Sequence, residues 1–559
     1  MTTGTTHQMN ERPRLWWQDG TIYQIYPRSF QDSNGDGIGD LPGILSRVNY
    51  LATLGIDAVW ISPIYPSPMA DFGYDVADYC NIDPMFGKLE DFDRLAAALH
   101  ERGLRVILDL VPNHSSDQHP WFVESRSSRE NPKRDWYLWR DPAPGDGPPE
   151  SRPPNNWQSH FGGNAWTYDP ATGQFFYHSF LTQQPDLNWR NPAVREAIYA
   201  AMRFWLDRGI DGFRMDVLWL LIKDDEFRDN PLNHDWTEGY STFGRVIPLY
   251  TADRPETHEI VAEMHSILAS YQGRDAVLIG EIYLPLRDLI SYYGFDPNTA
   301  DLRGADMPFN FHLIQTPWNS ERIAQFIRDY EAELPLGAWP NYVLGNHDQP
   351  RIASRLGEHQ ARIAAMLLLT LRGTPTLYYG DELGMTNGII PPEKVQDPAE
   401  LNQPNIGMGR DPERTPMLWD TTPNAGFSSA EPWLPINIDA ESINVAAQSS
   451  PETPRSILAL YRRLLALRGE HPALHAGTVD HIESNTGVLS YRRNHPDPDG
   501  AEPGKRHLQV YLNLTDSLQR VDAEEGRVLL TTILDGEGGQ VGGPLFLEAG
   551  EGLLIALNS

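Results

Sequence analysis

Three acidic residues each stand beside a cationic or amide neighbour in an apolar run. They are Asp216 in Gly212-Phe213-Arg214-Met215-Asp216, Glu281 in Gly280-Glu281-Ile282, and Asp348 in Asn346-His347-Asp348. Any one of them alone reads as an ion pair or a helix cap. Together they meet the needs of acetal cleavage, in which one carboxylic acid protonates the leaving oxygen and a second carboxylate either activates water or attacks the anomeric carbon. The third can stabilise oxocarbenium-like charge or grip sugar hydroxyls. Arg214 lies two residues before Asp216, and the period of two along a strand puts both side chains on one face, where the guanidinium keeps Asp216 ionised. That suits a nucleophile.

A second cluster, Asp32-Ser33-Asn34-Gly35-Asp36-Gly37-Ile38-Gly39-Asp40, spaces oxygen donors at alternate residues, as a hard cation such as Ca²⁺ or Mg²⁺ requires. It opens like an EF-hand loop, but Gly43 stands where the bidentate Glu belongs and a strand precedes it, which excludes an EF-hand. Two weaker motifs fail on spacing. Gly35-x-Gly37-x-Gly39 lacks the third glycine position of a dinucleotide fingerprint, and His258-Glu259 is followed by Ala262 where a zinc-protease motif needs histidine.

Positioning these groups requires strands, and eight short β-branched or aromatic runs supply them: residues 22–26, 58–61, 106–110, 212–215, 277–279, 307–309, 342–344 and 376–379. Amphipathic segments lie between them, such as 91–102 ended by Gly103 and 192–208 ended by Gly209, with glycine where a helix C-terminus favours positive φ. The alternation predicts an α/β fold, a (β/α)8 TIM barrel. Asp109, His114, Arg214, Asp216, Glu281, His347 and Asp348 then fall at or just after the C-terminal strand ends, the active-site rim of such a barrel. Residues 113–179, rich in Pro, Asn, Gly and Trp, read as an inserted loop-rich subdomain after strand 3. The expected division is a catalytic barrel over 1–112 and 180–478, an insertion at 382–444 after strand 8, and a C-terminal antiparallel β domain over 479–559.

Composition narrows the partners. The chain has 559 residues and a formal charge of −31, so phosphate backbones and anionic membranes repel it, and neither nucleic acid nor membrane is an expected partner. One cysteine, Cys80, forms no intramolecular disulfide, and the polar start of the chain has no signal-peptide core; the expectation is a soluble, cytoplasmic protein.

Taken in order, Asp109-Leu110-Val111-Pro112-Asn113-His114, residues 212–217, Gly280-Glu281-Ile282 and Asn346-His347-Asp348-Gln349-Pro350-Arg351 resemble the ordered blocks of the α-amylase superfamily of glycoside hydrolases. Gln184-Pro185-Asp186-Leu187-Asn188 is similar to the extra block of its oligo-1,6-glucosidase and α-glucosidase branch. The resemblance covers nearly the whole chain. It implies Asp216 as nucleophile, Glu281 as general acid/base and Asp348 as transition-state stabiliser, with Arg214 orienting Asp216 and with His114 and His347 on the innermost glucosyl unit. It further implies that Asp71 and Arg410 close the far end of the glucose pocket, Arg414 being the alternative arginine, with Tyr74 and Phe161 as aromatic faces beside the sugar. Asp32, Asn34, Asp36, the Ile38 carbonyl and Asp40 resemble that branch's single-ion loop, so one structural Ca²⁺ (or Mg²⁺) and no organic cofactor are expected. Val217 after the nucleophile resembles the α-1,6-preferring members.

The implied activity is that of an exo-acting, retaining α-glucosidase on short oligosaccharides and disaccharides, with some transglucosylation. A glucoside-rearranging relative of the trehalose synthase or sucrose isomerase type shares the fold and carboxylates; Gln349-Pro350-Arg351 and the Gln184 run favour the hydrolase. A catalytically inactive partner protein, of the kind the heavy chains of amino-acid transporters represent, is disfavoured because all three carboxylates are kept and no membrane anchor is present in the sequence.

Overall fold

The computed structural model describes residues 14–497, 500–502 and 504–558. The first 13 residues, which include most of the polar start and the beginning of the expected barrel domain, lie outside them. Eight parallel strands form one sheet: β1 (Ile22–Ile25), β2 (Ala58–Ile61), β3 (Arg105–Leu110), β4 (Gly212–Met215), β5 (Val277–Ile282), β6 (Met307–Asn310), β7 (Asn341–Val343) and β8 (Thr374–Tyr378). Their spatial order is β6-β5-β4-β3-β2-β1-β8-β7, and β6 lies against β7 to close the ring. The expected TIM barrel is present. Strands buried on both faces need continuous apolar runs, which is why all eight were readable. The largest difference is at β5, which continues to Ile282 and so carries Glu281 within the strand rather than after it. Gly212 permits the close approach of β4 to β5, since a Cβ there would stand 2.5 Å from Val277.

The connecting helices bury the stripes their periodicity predicts. Leu89–Glu101 buries Phe92, Leu95, Ala96 and Leu99. Pro192–Asp207 starts under an Asn191 side-chain cap, buries Val194, Ile198, Met202, Trp205 and Leu206, and is followed by Gly209 at φ +100°. Within 113–179, strands Trp139–Arg140, Gln174–Tyr177 and Trp166–Asp169 form a small antiparallel sheet, with Trp157, Trp166, Phe175 and Tyr177 in a core of its own. A six-stranded antiparallel sheet runs from Thr478–Asn485 to Gly552–Leu557. No helix among the described residues is long and apolar enough to cross a membrane.

Buried arginines join this last sheet to the barrel. The helix Ile352–Thr370 ends beside the sheet, and its last carbonyls have no intrahelical donors. Arg493, fully buried, donates Nη1 to the Thr370 carbonyl, Nη2 to Gly477 (3.0 Å) and Nε to Thr478 (3.1 Å). Arg468, on the helix Ile457–Glu470, donates to carbonyls on the barrel side, those of Leu369 (3.2 Å), Leu474 (3.1 Å) and Gly373. Arg493→Met keeps the stem but strands these carbonyls, and is expected to cost about 2–4 kcal/mol. A lowered unfolding temperature by calorimetry checks this; an unchanged one contradicts it.

Candidate active site

Arg214 is the centre of the cluster. It projects from β4 into the barrel with no exposed side-chain surface, donating Nη1 to Asp216 Oδ1 (2.7 Å) and to Asp109 Oδ1 (2.9 Å) on β3, and pairing Nη2 with Glu281 Oε2 (2.8 Å) on β5. Asp216 and Glu281 thus share one guanidinium and lie within reach of a common proton. Asp109 is also held by Trp60 Nε1 (3.2 Å) and the Tyr74 hydroxyl (3.1 Å). Val217 sits in a left-handed conformation at φ +40°, costly for a β-branched residue, and this turn aims its N–H at Glu281 Oε2 (2.8 Å).

One cation faces three carboxylates here, and desolvation acts on each. Burial pushes Asp109 up to about 7 against the attraction of Arg214. Burial also raises both Asp216 and Glu281 above the ordinary carboxylate range, helped at Asp216 by the charge of Glu281 and at Glu281 by that of Asp348, so the pair retains a proton at higher pH than free carboxylates would. One carboxyl protonated and one ionised is the state an acid and a nucleophile require together.

A second node lies across the rim. Asp348 Oδ1 accepts Arg414 Nη2 (2.8 Å) and Arg410 Nη1 (3.2 Å), and the charges of these arginines help hold the half-buried carboxyl well below the ordinary carboxylate range. Arg410 Nη2 reaches Asp71 Oδ1 (2.8 Å), and its guanidinium lies 4.8 Å from the centre of the Phe161 ring. Of the two candidate arginines, therefore, Arg410 meets Asp71, while Arg414 is bound to Asp348 and the His347 carbonyl (2.8 Å). Asp71 is pushed up to about 6 by burial despite these arginines, and its Oδ2 accepts Gln184 Nε2 (3.1 Å).

The two nodes are joined through rings. Tyr74 stacks on His347 at 5.4 Å, and its hydroxyl bonds His347 Nε2 (2.7 Å) as well as Asp109. Tyr74 is buried, with its hydroxyl committed at the floor of the site. His114 hydrogen-bonds the Tyr74 carbonyl (3.1 Å) and Gln184 (3.2 Å), and burial lowers it to about 4. Both imidazoles are neutral at pH 7.

Three residues of this architecture escape a reading of the sequence. Gln24 on β1 donates to His347 Nδ1 (2.8 Å), leaving Nε2 to carry the proton. A glutamine inside the apolar run of β1 was the available signal. Lys223 is buried, donates to Asn113 Oδ1 (2.7 Å) and forms an ion pair with Asp186, so an internal ammonium ties the Gln184 run to the end of β3. Asp397 receives Arg410 Nη2 at 2.7 Å from within the Pro-rich insertion, where no local pattern marks it.

The Asp32–Asp40 loop is a separate feature. Asp32 Oδ1 accepts the N–H groups of Asn34 (2.9 Å) and Gly35 (2.7 Å), and Oδ2 accepts Gly37 N–H (2.9 Å) and the Ser428 hydroxyl (2.6 Å). Asp36 Oδ1 accepts Ile38 N–H (2.9 Å) and its Oδ2 accepts Asn34 Nδ2 (3.0 Å), while Asp40 caps the helix Leu41–Ser46 through Gly43 N–H (2.6 Å). Among the described residues no three acidic, histidine or cysteine side chains converge as a metal group.

A ring of parallel strands that delivers three carboxylates and two arginines to its C-terminal rim defines a barrel enzyme for splitting glycosidic bonds. The catalytic-domain model of the α-amylase family matches residues 24–477. A probable α-glucosidase of Rhizobium meliloti (strain 1021) is 42% identical over 552 residues, 95% of this chain and 97% of its own. An oligo-1,6-glucosidase of Parageobacillus thermoglucosidasius is 40% identical over 518 residues, 86% of this chain and 88% of its own. A solved trehalulose synthase superposes with a TM-score of 0.86 at 36% identity, covering 97% of this chain and 100% of that one. The chain belongs to the α-amylase family and is a glycoside hydrolase.

The electrostatics of Asp71 give a pH dependence. With its carboxyl pushed up to about 6, protonation below that pH removes the acceptor for Arg410 and for a sugar hydroxyl. kcat/KM for a small α-glucoside is expected to fall as pH drops through about 6, and Asp71→Asn to lower activity and change the shape of that limb, leaving only the part due to the carboxyls around Arg214; a variant that keeps the wild-type acid limb refutes the assignment.

Proposed function

We propose that this glycoside hydrolase is an exo-acting, retaining α-glucosidase that releases α-glucose from the non-reducing ends of short α-glucosides, with Asp216 as nucleophile, Glu281 as general acid/base and Asp348 as stabiliser. The observation that carries the reading is the sharing of Arg214 by Asp216 and Glu281 within reach of a common proton. Retaining pairs need about 5–5.5 Å between carboxyls, inverting pairs about 6.5–9.5 Å to admit water. In the first step Asp216 attacks the anomeric carbon while Glu281 protonates the departing oxygen. In the second, Glu281 as base activates water or an acceptor sugar, which displaces Asp216 and restores the α configuration. Asp348, held ionised by Arg410 and Arg414, opposes the positive charge that builds on the sugar ring. The Asp71–Arg410 pair blocks the pocket beyond one glucosyl unit and supports removal from the chain end.

Similarity to a trehalulose synthase supports a second reading, rearrangement of a disaccharide without release of glucose. Incubation with isomaltose, maltose, sucrose and trehalose separates the two. The expected result is α-glucose as first product, isomaltose preferred over maltose because Val217 presses on the acceptor side, and loss of turnover by at least about a thousandfold in Asp216→Asn. Initial β-glucose, or isomerised disaccharide as main product, overturns it. A cytoplasmic location belongs to the same proposal and is supported by the single cysteine.

We also propose that the 32–40 loop takes one divalent cation. Support comes from an all-oxygen donor set at alternate positions and from amide partners on Asp32 and Asp40 that a cation would replace. Elemental analysis is expected to find one Ca²⁺ or Mg²⁺ per chain, and chelation to lower the unfolding temperature while leaving turnover per folded molecule intact. No ion and an unchanged unfolding temperature refute it.

A further inference from the structure

Arg410 can close a glucose pocket only if its long side chain is held outside the volume the sugar needs. In the structure the guanidinium bridges Asp71 Oδ1 (2.8 Å) and Asp348 Oδ1 (3.2 Å) through its two Nη atoms. Bonds to the two Nη atoms do not by themselves hold its Nε or its main chain.

A third carboxylate does. Asp397 is fully buried, and its two oxygens grip Arg410 as a fork: Oδ1 accepts Nη2 (2.7 Å) and Nε (3.2 Å), and Oδ2 accepts Nε (3.1 Å). Oδ2 also accepts the backbone N–H of Arg410 itself (2.6 Å), so the main chain and the side chain of one residue are fixed by one group. The grip is reciprocal. Asp411, next to Arg410, accepts the N–H groups of Gln396 (2.7 Å) and Asp397 (3.0 Å), stapling residues 396–397 to 410–411 in both directions. Asp397 further caps the short helix Pro398–Asn402 through Ala399 N–H (3.3 Å), and Gln403 beyond it accepts Thr242 N–H (2.9 Å) from the loop that follows β4.

We infer that Asp397 is the positioning residue of the donor pocket: it offsets the charge of Arg410 through Nε and Nη2 and fixes its guanidinium where it meets Asp71 and Asp348. Asp397 touches no substrate atom and acts through Arg410. Electrostatics agree with this division. Asp397 stays below the ordinary carboxylate range through its bonds to Arg410, whereas burial leaves Asp71 raised and the negative charge of Asp397 adds to that rise.

The inference rests on the α-glucosidase reading, and Asp397→Asn tests it separately. Asparagine keeps the shape and one acceptor oxygen for the helix cap, while it removes the charge and replaces the other acceptor by a donor. With p-nitrophenyl α-glucoside and isomaltose, KM is expected to rise at least tenfold with kcat within about threefold. The acid limb of kcat/KM should move to lower pH, because Asp71 then receives more of the Arg410 charge. In an Arg410→Ala background the same substitution should change KM by less than twofold. Wild-type KM and an unmoved acid limb in Asp397→Asn overturn the proposal, as does a lowered unfolding temperature with unchanged kinetic constants. An equal KM effect in the Arg410→Ala background overturns it too. A wild-type enzyme that releases no glucose from either substrate refutes the α-glucosidase reading instead.

Discussion

The site depends on burying one guanidinium, that of Arg214, at the centre of the barrel. A cation removed from water is tolerated only with anionic partners, and the strands on either side of β4 provide them: Asp109 from β3 and Glu281 from β5, with Asp216 from β4's own end. Three carboxylates around one guanidinium exceed its charge. Burial, and after it that excess of negative charge, raises the carboxyl pKa values and so holds a proton in the site near neutrality. The proton that acid catalysis needs is therefore a consequence of how the cation is buried.

A second group of charges opposes the first without merging with it. Around Arg410 and Arg414 two cations bear on Asp348, which is kept ionised and is less deeply set than Asp216 and Glu281. Between the two groups stand neutral elements only: Tyr74, His347 and Gln24, in a hydrogen-bonded row whose direction is set by the Gln24 amide. A charged imidazole there would weaken Arg214 and Arg414 alike, and burial keeps His347 neutral. The sugar site thus has a protonated side and an ionised side, kept apart by stacked rings.

How much of this was readable follows from the range of each interaction. Buried parallel strands leave continuous apolar runs, so all eight were found, and residues at their C-terminal ends were candidates by position alone. Asp216, Glu281 and Asp348 carry local neighbours that mark them. Gln24, Lys223 and Asp397 do not, because their meaning lies with partners 323, 110 and 13 residues away. The left-handed turn at Val217 was equally silent, since valine is among the residues least expected at positive φ. In the Asp32–Asp40 loop the spacing of donors was plain, but spacing does not reveal that the loop's own amides occupy those oxygens.

The two ends of the barrel use the same residue type for different ends. At the C-terminal rim, arginines meet carboxylates, and each pair shifts a protonation state that chemistry can use. Toward the C-terminal sheet, Arg362, Arg468 and Arg493 meet backbone carbonyls instead, including those left over where the helix Ile352–Thr370 stops. A carbonyl does not titrate, so these bonds fix geometry over the whole working pH range. Burial there lowers the basicity of all three guanidinium groups, because carbonyls satisfy donors without adding the negative charge that the rim carboxylates supply. Stability and reactivity are thereby separated by the acceptor the arginine is given, which lets the rim carry unbalanced charge on a scaffold that does not respond to it.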